Sequence, residues 1–199
     1  MQKQVEFFFD FGSPYTYLAY HELRRIAQAR QARIVWRPIL LGGVFQSTGN
    51  HSPAEIPAKA LYSNADLQRW AKAYGVPFNM NPNFPINTLA LMRGAVVMQQ
   101  RSEDDFQRYL AAVFSAMFAL PRNLNNPTEI GAVLAQAGFD PMACMKDIHN
   151  LAVKDALKTA TDEAVARGVF GVPTFFVGDE MFWGQDRLHF VDAALSKVG

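Results

Sequence analysis

Val5-Glu6-Phe7-Phe8-Phe9-Asp10-Phe11-Gly12-Ser13-Pro14-Tyr15-Thr16 is the stretch whose reading decides the architecture. Val5 to Phe11 is an aromatic-rich run of strand length. Gly12-Ser13-Pro14 punctuates it: Ser13 suits a helix N-cap, and Pro14 suits the first helical position, where its missing N–H and fixed φ do no harm. From Tyr15 to Arg30 the apolar residues Tyr15, Leu18, Ala19, Leu23 and Ile26 recur at helical spacing. Ile34-Val35-Trp36, just before Pro38, reads as a second strand. Strand, helix and strand in this order predict a right-handed βαβ unit.

Moving outward, the texture changes. Pro53 and Pro57 punctuate a loop, and helical patterns follow at Pro57–Tyr74, Asn87–Arg101, Glu103–Leu120, Thr128–Ala137 and Pro141–Gly168, the last readable as two helices. No strand signal of comparable quality occurs in that region. Strands return with Thr174-Phe175-Phe176-Val177, a Gly178-Asp179-Glu180 turn and Met181-Phe182-Trp183, a hairpin that leads into a final helix at Arg187–Lys197. This order predicts an α/β chain with a thioredoxin-like fold (βαβ-αββα) and an all-helical domain inserted at its midpoint. The expected division is 1–55 with 151–199 for the discontinuous thioredoxin-like domain and 56–150 for the insertion.

Composition narrows the function classes. Of 199 residues, 50% are hydrophobic and 19% charged, the profile of a globular chain. A net charge of +1, with no basic run interleaved with aromatics, predicts neither nucleic acid nor membrane as a partner. No apolar stretch reaches the roughly 20 residues a membrane span requires. Met1-Gln2-Lys3-Gln4 lacks the charged head and cleavage site of a signal peptide, so a cytoplasmic protein is expected. The single cysteine, Cys144, permits no intrachain disulfide. His21, His51, His149 and His189 lie far apart without ligand spacing, so no metal site is expected.

Two motifs carry chemistry. In redox proteins of this fold, Cys-x-x-Cys stands where the first strand meets the first helix, and the helix N-terminus stabilises a thiolate. Ser13-Pro14-Tyr15-Thr16 occupies that junction here, which rules out a dithiol cycle. What remains is a hydroxyl and unpaired N–H groups at a positive helix end, suited to holding another molecule's sulfur as an anion. Ser13 is equally readable as an N-cap alone, and the two readings are compatible. The second motif is Gly171-Val172-Pro173-Thr174, a proline just before a late strand. An ordinary trans-proline at a strand start is one reading; paired with the Ser-Pro motif, the cis form facing the first helix is preferred.

Phe9-Asp10-Phe11-Gly12-Ser13-Pro14-Tyr15-Thr16-Tyr17-Leu18-Ala19, Gly49-Asn50, Asp66-Leu67-Gln68-Arg69-Trp70 and Val169-Phe170-Gly171-Val172-Pro173-Thr174 through Trp183-Gly184-Gln185-Asp186-Arg187-Leu188 together resemble the kappa-class glutathione transferases, within the DsbA-like group, and most closely their 2-hydroxychromene-2-carboxylate isomerase branch. The resemblance implies glutathione as cofactor and Ser13 as the catalytic residue that favours its thiolate. It implies that Val172, before Pro173, pairs through its backbone with the cysteinyl part of the tripeptide. Asn50 and Lys59 would reach the glycine carboxylate; Gln185 and Asp186 would receive the γ-glutamyl end. A thiolate adding reversibly to a conjugated 2-oxo acid would turn a double bond into a rotatable single bond, regenerating glutathione after isomerisation. No histidine is placed to serve Ser13 as a base, so Ser13 reads as a stabiliser and not a nucleophile.

Tyr15, Tyr17, Phe84, Phe182 and Trp183 are candidates to line an aromatic substrate pocket, although most aromatics in such a chain are core. Asn87 and Arg93, in the insertion, are candidates to meet an acidic substrate. Each cofactor candidate also has a plainer reading: Lys59 as a solvated helix lysine, Asn50 as a turn residue and Asp186 as a helix-start acid. A kappa-type transferase or peroxidase acting on another electrophile is the alternative activity, and a non-catalytic thioredoxin-like protein is a third. A homodimer is implied by the resemblance.

Overall fold

The computed structural model describes residues 3–198; Met1 and Gln2, which belong to the lead-in read above as carrying no signal peptide, and Gly199 lie outside them. Strand β1 (Gln4–Phe9) is central because both of its faces are apolar. Val5, Phe7 and Phe9 point into the main core, whereas Phe8 joins a second cluster with Ile39, Val44, Ala164, Val169, Val172 and Phe176. A strand covered on two faces reads as a continuous apolar run, as this one does. Strand β2 (Arg33–Pro38) pairs parallel to it, with Phe7 opposite Trp36. Strand β3 (Thr174–Val177) pairs antiparallel on the other side, with Phe7 opposite Phe175, and β4 (Glu180–Trp183) closes the hairpin. The sheet order is β2-β1-β3-β4. The Phe7 and Phe175 rings stack 5.2 Å apart, which holds β3 and the loop before it against β1.

Nine α-helices surround the sheet among the described residues. Helix α1 (Pro14–Arg30) connects β1 to β2, so the expected βαβ unit is present. Helix α2 (Leu41–Thr48) falls where a loop was expected. Gly42 and Gly43 weaken it locally, but its Leu41 N–H is received by Asp10 Oδ2 at 2.8 Å, a cap supplied from another segment. Helices α3 (Pro57–Tyr74), α4 (Leu89–Arg101), α5 (Glu103–Phe114) and α6 (Pro127–Gln136) form most of the helical block. The pattern at 103–120 ends in a π-helical turn, Ser115–Ala119, and Pro141–Gly168 divides into α7 (Pro141–Asp147) and α8 (Leu151–Ala166), with Asn150 capping the latter. A 3₁₀ turn at Gln185–Arg187 precedes α9 (Leu188–Lys197).

One continuous hydrophobic cluster runs from Val5 and Phe7 through Leu110 and Phe114 to Cys144 and Ile148, so sheet and helical block share a core. Burial pushes the Cys144 thiol up, keeping it in its protonated, unreactive form. Among the described residues no helix is long and apolar enough to cross a membrane.

Candidate active site

Ser13 takes the extended backbone of an N-cap, and its Oγ accepts the Thr16 N–H at 3.2 Å. The same hydroxyl donates to the Val172 carbonyl at 3.3 Å, across 159 positions of sequence. The Val172–Pro173 bond is cis, as expected. The two motifs thus meet: the first turn of α1 and the loop entering β3 share one hydroxyl. Ser13 is 7% exposed and Val172 8%, so the contact sits in a poorly hydrated place where a hydrogen bond to an anion counts for more.

The donor set suits a thiolate and a peptide-like ligand. Among the described residues the Val172 N–H has no hydrogen-bond partner, leaving it free to pair with an extended backbone. Thr16, fully buried, also leaves its hydroxyl without a partner; an orphaned polar atom of this kind is costly unless something satisfies it. The first N–H groups of α1 add the positive end of a 17-residue helix.

The other cofactor candidates stand on separate segments of the chain. Asn50 Nδ2 donates to the Phe170 carbonyl at 2.8 Å, and its Oδ1 accepts the His51 N–H, so Asn50 holds the approach to the cis-proline loop. Lys59 is exposed in the first turn of α3. Gln185 is buried, its carbonyl receives the Tyr74 hydroxyl at 2.9 Å, and Asp186 forms an ion pair with Arg187. Gly184, at φ 99°, makes the turn that precedes them; a Cβ there would press on Asp186 Oδ1 at 2.6 Å. Tyr15 lies beside Ser63 and in the field of Asp66, Tyr62 and Asp186. Burial is the main reason its phenol is raised above the ordinary range; Ser63 opposes the rise, and Asp66, Tyr62 and Asp186 add to it.

The candidates for an aromatic pocket part company. Trp183 is half exposed, 5.0 Å from the Phe170 ring, with Gly171 beneath. Tyr17 is corrected to a core residue: it is 1% exposed, packs on Phe118 and Phe114, and donates its hydroxyl to Pro77 O at 2.6 Å. That packing leaves it no face for a substrate, and burial pushes its phenol up to about 12. Phe84 precedes a second cis-proline, Pro85, and Asn87 spends its Oδ1 on the Leu89 N–H. Phe182 is half-buried against the core, and the buried Arg93 Nε has no partner among the described residues. A groove of about 1250 Å³ runs along β2 and contains neither Ser13 nor Val172. Of its cations, Arg24 is engaged with Gln107 at 2.7 Å and Arg25 with Glu22.

Comparison with known proteins places this geometry. The profile of the DsbA-like thioredoxin domain matches residues 4–196. The chain belongs to the DsbA-like thioredoxin family. Within it, the chain is 30% identical to a 2-hydroxychromene-2-carboxylate isomerase of Sphingobium xenophagum, over 98% of this chain and 99% of that one. A solved 2-hydroxychromene-2-carboxylate isomerase superposes with a TM-score of 0.88 at 32% identity, covering 98% of this chain and 95% of that one. Glutathione S-transferase kappa 2 of Caenorhabditis elegans is 27% identical over 94% of this chain and 89% of that protein. The thioredoxin-like fold expected from the element order is therefore present, with Ser13 and Thr16 at its first strand–helix junction.

Phe170, Tyr74 and Ser63 join the site without any signal that periodicity offers. Phe170 is one more aromatic in a chain holding 16 phenylalanines. Tyr74 is the last residue of α3, and only the tertiary structure brings it to Gln185.

Proposed function

We propose that this protein is a glutathione-dependent isomerase of aromatic 2-oxo acids, interconverting 2-hydroxychromene-2-carboxylate and trans-o-hydroxybenzylidenepyruvate. The observation that carries the reading is the Ser13 hydroxyl poised between the α1 N-terminus and the Val172 carbonyl, in a chain related over its full length to isomerases of that name. Glutathione, when bound, supplies a thiolate able to add reversibly to a conjugated 2-oxo acid. Ser13 and the first N–H groups of α1 hold that sulfur as an anion. The free Val172 N–H and its carbonyl pair with the cysteinyl backbone. Asn50 and Lys59 receive the glycine carboxylate, and Gln185 and Asp186 the γ-glutamyl end. Trp183 and Tyr15 border the acceptor side, with Phe84 and Asn87 in the segment leading into α4. The enzyme is proposed to work as a cytoplasmic homodimer on a small aromatic substrate.

The relation to the kappa transferase favours a second reading, in which the same glutathione site serves another electrophile. Incubation with 2-hydroxychromene-2-carboxylate, and separately with an aryl halide acceptor, each with glutathione, separates the two. Isomerisation without loss of free glutathione supports the first reading, and conjugate formation without isomerisation supports the second.

A further inference from the structure

Asp10 is a buried carboxylate that the proposed chemistry does not use. It is 0% exposed, and three segments converge on it. Oδ1 accepts the Gly12 N–H at 2.8 Å, Oδ2 accepts the Leu41 N–H that opens α2 at 2.8 Å, and the Thr88 side chain before α4 lies beside it. The Asp10 carbonyl accepts the Ser13 N–H at 3.3 Å, so one residue closes the turn Asp10–Ser13 from both its main chain and its side chain. The turn has no slack. A Cβ on Gly12 would come within 3.3 Å of both Asp10 Oδ1 and Thr88 Cγ2.

We infer that Asp10 is a positioning residue: it fixes the turn that aims the Ser13 hydroxyl, and through Leu41 it ties that turn to α2, beside Thr88 at the start of α4. The side-chain chemistry fits. Two N–H donors on opposite oxygens demand two acceptors, which a carboxylate has and an amide lacks. Asn at this position turns an NH₂ toward one of the two backbone donors, and Ala leaves both unmet in a dry place. Burial pushes the Asp10 carboxyl above its ordinary range, while its neighbours Gly12, Leu41 and Thr88 oppose that.

The inference rests on the glutathione reading only for its catalytic consequence, and its test has two independent readouts. The first is amide hydrogen exchange in wild type, Asp10→Asn and Thr88→Val, with no ligand. Positioning requires exchange at Gly12, Ser13 and Leu41 to rise at least about tenfold in Asp10→Asn and less in Thr88→Val, while α5 stays protected. Unchanged exchange at these amides overturns it. The second is the pH titration of bound glutathione by thiolate absorbance, with kcat and KM. A misaimed hydroxyl raises the thiol's pKa and lowers kcat about tenfold to a hundredfold, with KM changed less. Removing a buried negative charge would, acting through space alone, lower that pKa. A lowered or unchanged pKa with kcat retained therefore overturns the positioning role. If wild type itself shows no bound thiolate, the glutathione reading fails, and the exchange data still decide whether Asp10 fixes the turn.

Discussion

Replacing Ser13 with Ala removes one oxygen and two hydrogen bonds, and their consequences are separable. As an N-cap, the hydroxyl satisfies the Thr16 N–H; losing such a cap costs about 1 kcal/mol, within a range of about 0.5–2. For a chain of this size about 1 kcal/mol lowers Tm by roughly 2–4 °C. The bond to Val172 O is long at 3.3 Å and adds little. Toward a thiolate the same hydroxyl makes a charge-assisted bond, worth about 1.5–3 kcal/mol. At 1.36 kcal/mol per unit this raises the pKa of bound glutathione by roughly 1–2 units. Thermal unfolding reads the first effect, and ultraviolet titration of the bound thiolate reads the second. The expected result is a modest loss of Tm with a large rise in thiol pKa, and Ser13→Thr restores part of both. A loss of Tm with the thiol pKa unmoved would reduce Ser13 to a helix cap and refute its assignment.

Other outcomes follow from contacts away from the sulfur. Tyr74→Phe leaves the Gln185 carbonyl without its donor; about 1 kcal/mol of stability is expected to go, and the KM for glutathione to rise several-fold with kcat nearly kept, as measured by steady-state kinetics. Glu6 bridges Arg37 and Arg167; burial raises its pKa, but the two guanidiniums outweigh that and hold it below 4.5. A depressed carboxylate contributes stability that is present above its unfolded pKa and is lost as pH falls through the folded one. Urea denaturation should therefore find Glu6→Gln less stable than wild type at neutral pH, with the gap closing in acid below about pH 4. Gly94→Ala should reverse the usual helix preference, because a Cβ there collides with the buried Tyr109 hydroxyl that donates to Leu91 O. Overpacking of this kind costs about 1–3 kcal/mol, where an open helical glycine would gain about 1 from alanine.

Much of the fold is written locally. Ser13-Pro14 caps α1, Phe7 and its neighbours form an apolar run suited to a central strand, and Gly178-Asp179 turns the last hairpin. What local patterns miss is held from a distance. Helix α2 contains two glycines and no side-chain cap of its own, and its first N–H is met by Asp10, 31 residues earlier. The break between α7 and α8, by contrast, is local: Asn150 caps α8 within a stretch already readable as two helices. The site divides in the same way. Ser13 and Val172 announce themselves through the residue types their junctions require, and they meet. Tyr17 does not, because its position one turn along α1 is as compatible with a pocket as with the aromatic core that receives it.

The central claim is tested most directly by following the absorbance of 2-hydroxychromene-2-carboxylate with the purified protein, in the presence and absence of glutathione. Conversion to trans-o-hydroxybenzylidenepyruvate that requires glutathione, leaves its concentration unchanged and is impaired in Ser13→Ala is the predicted result. Conversion equally fast without glutathione, or none at glutathione concentrations that saturate binding, would contradict it.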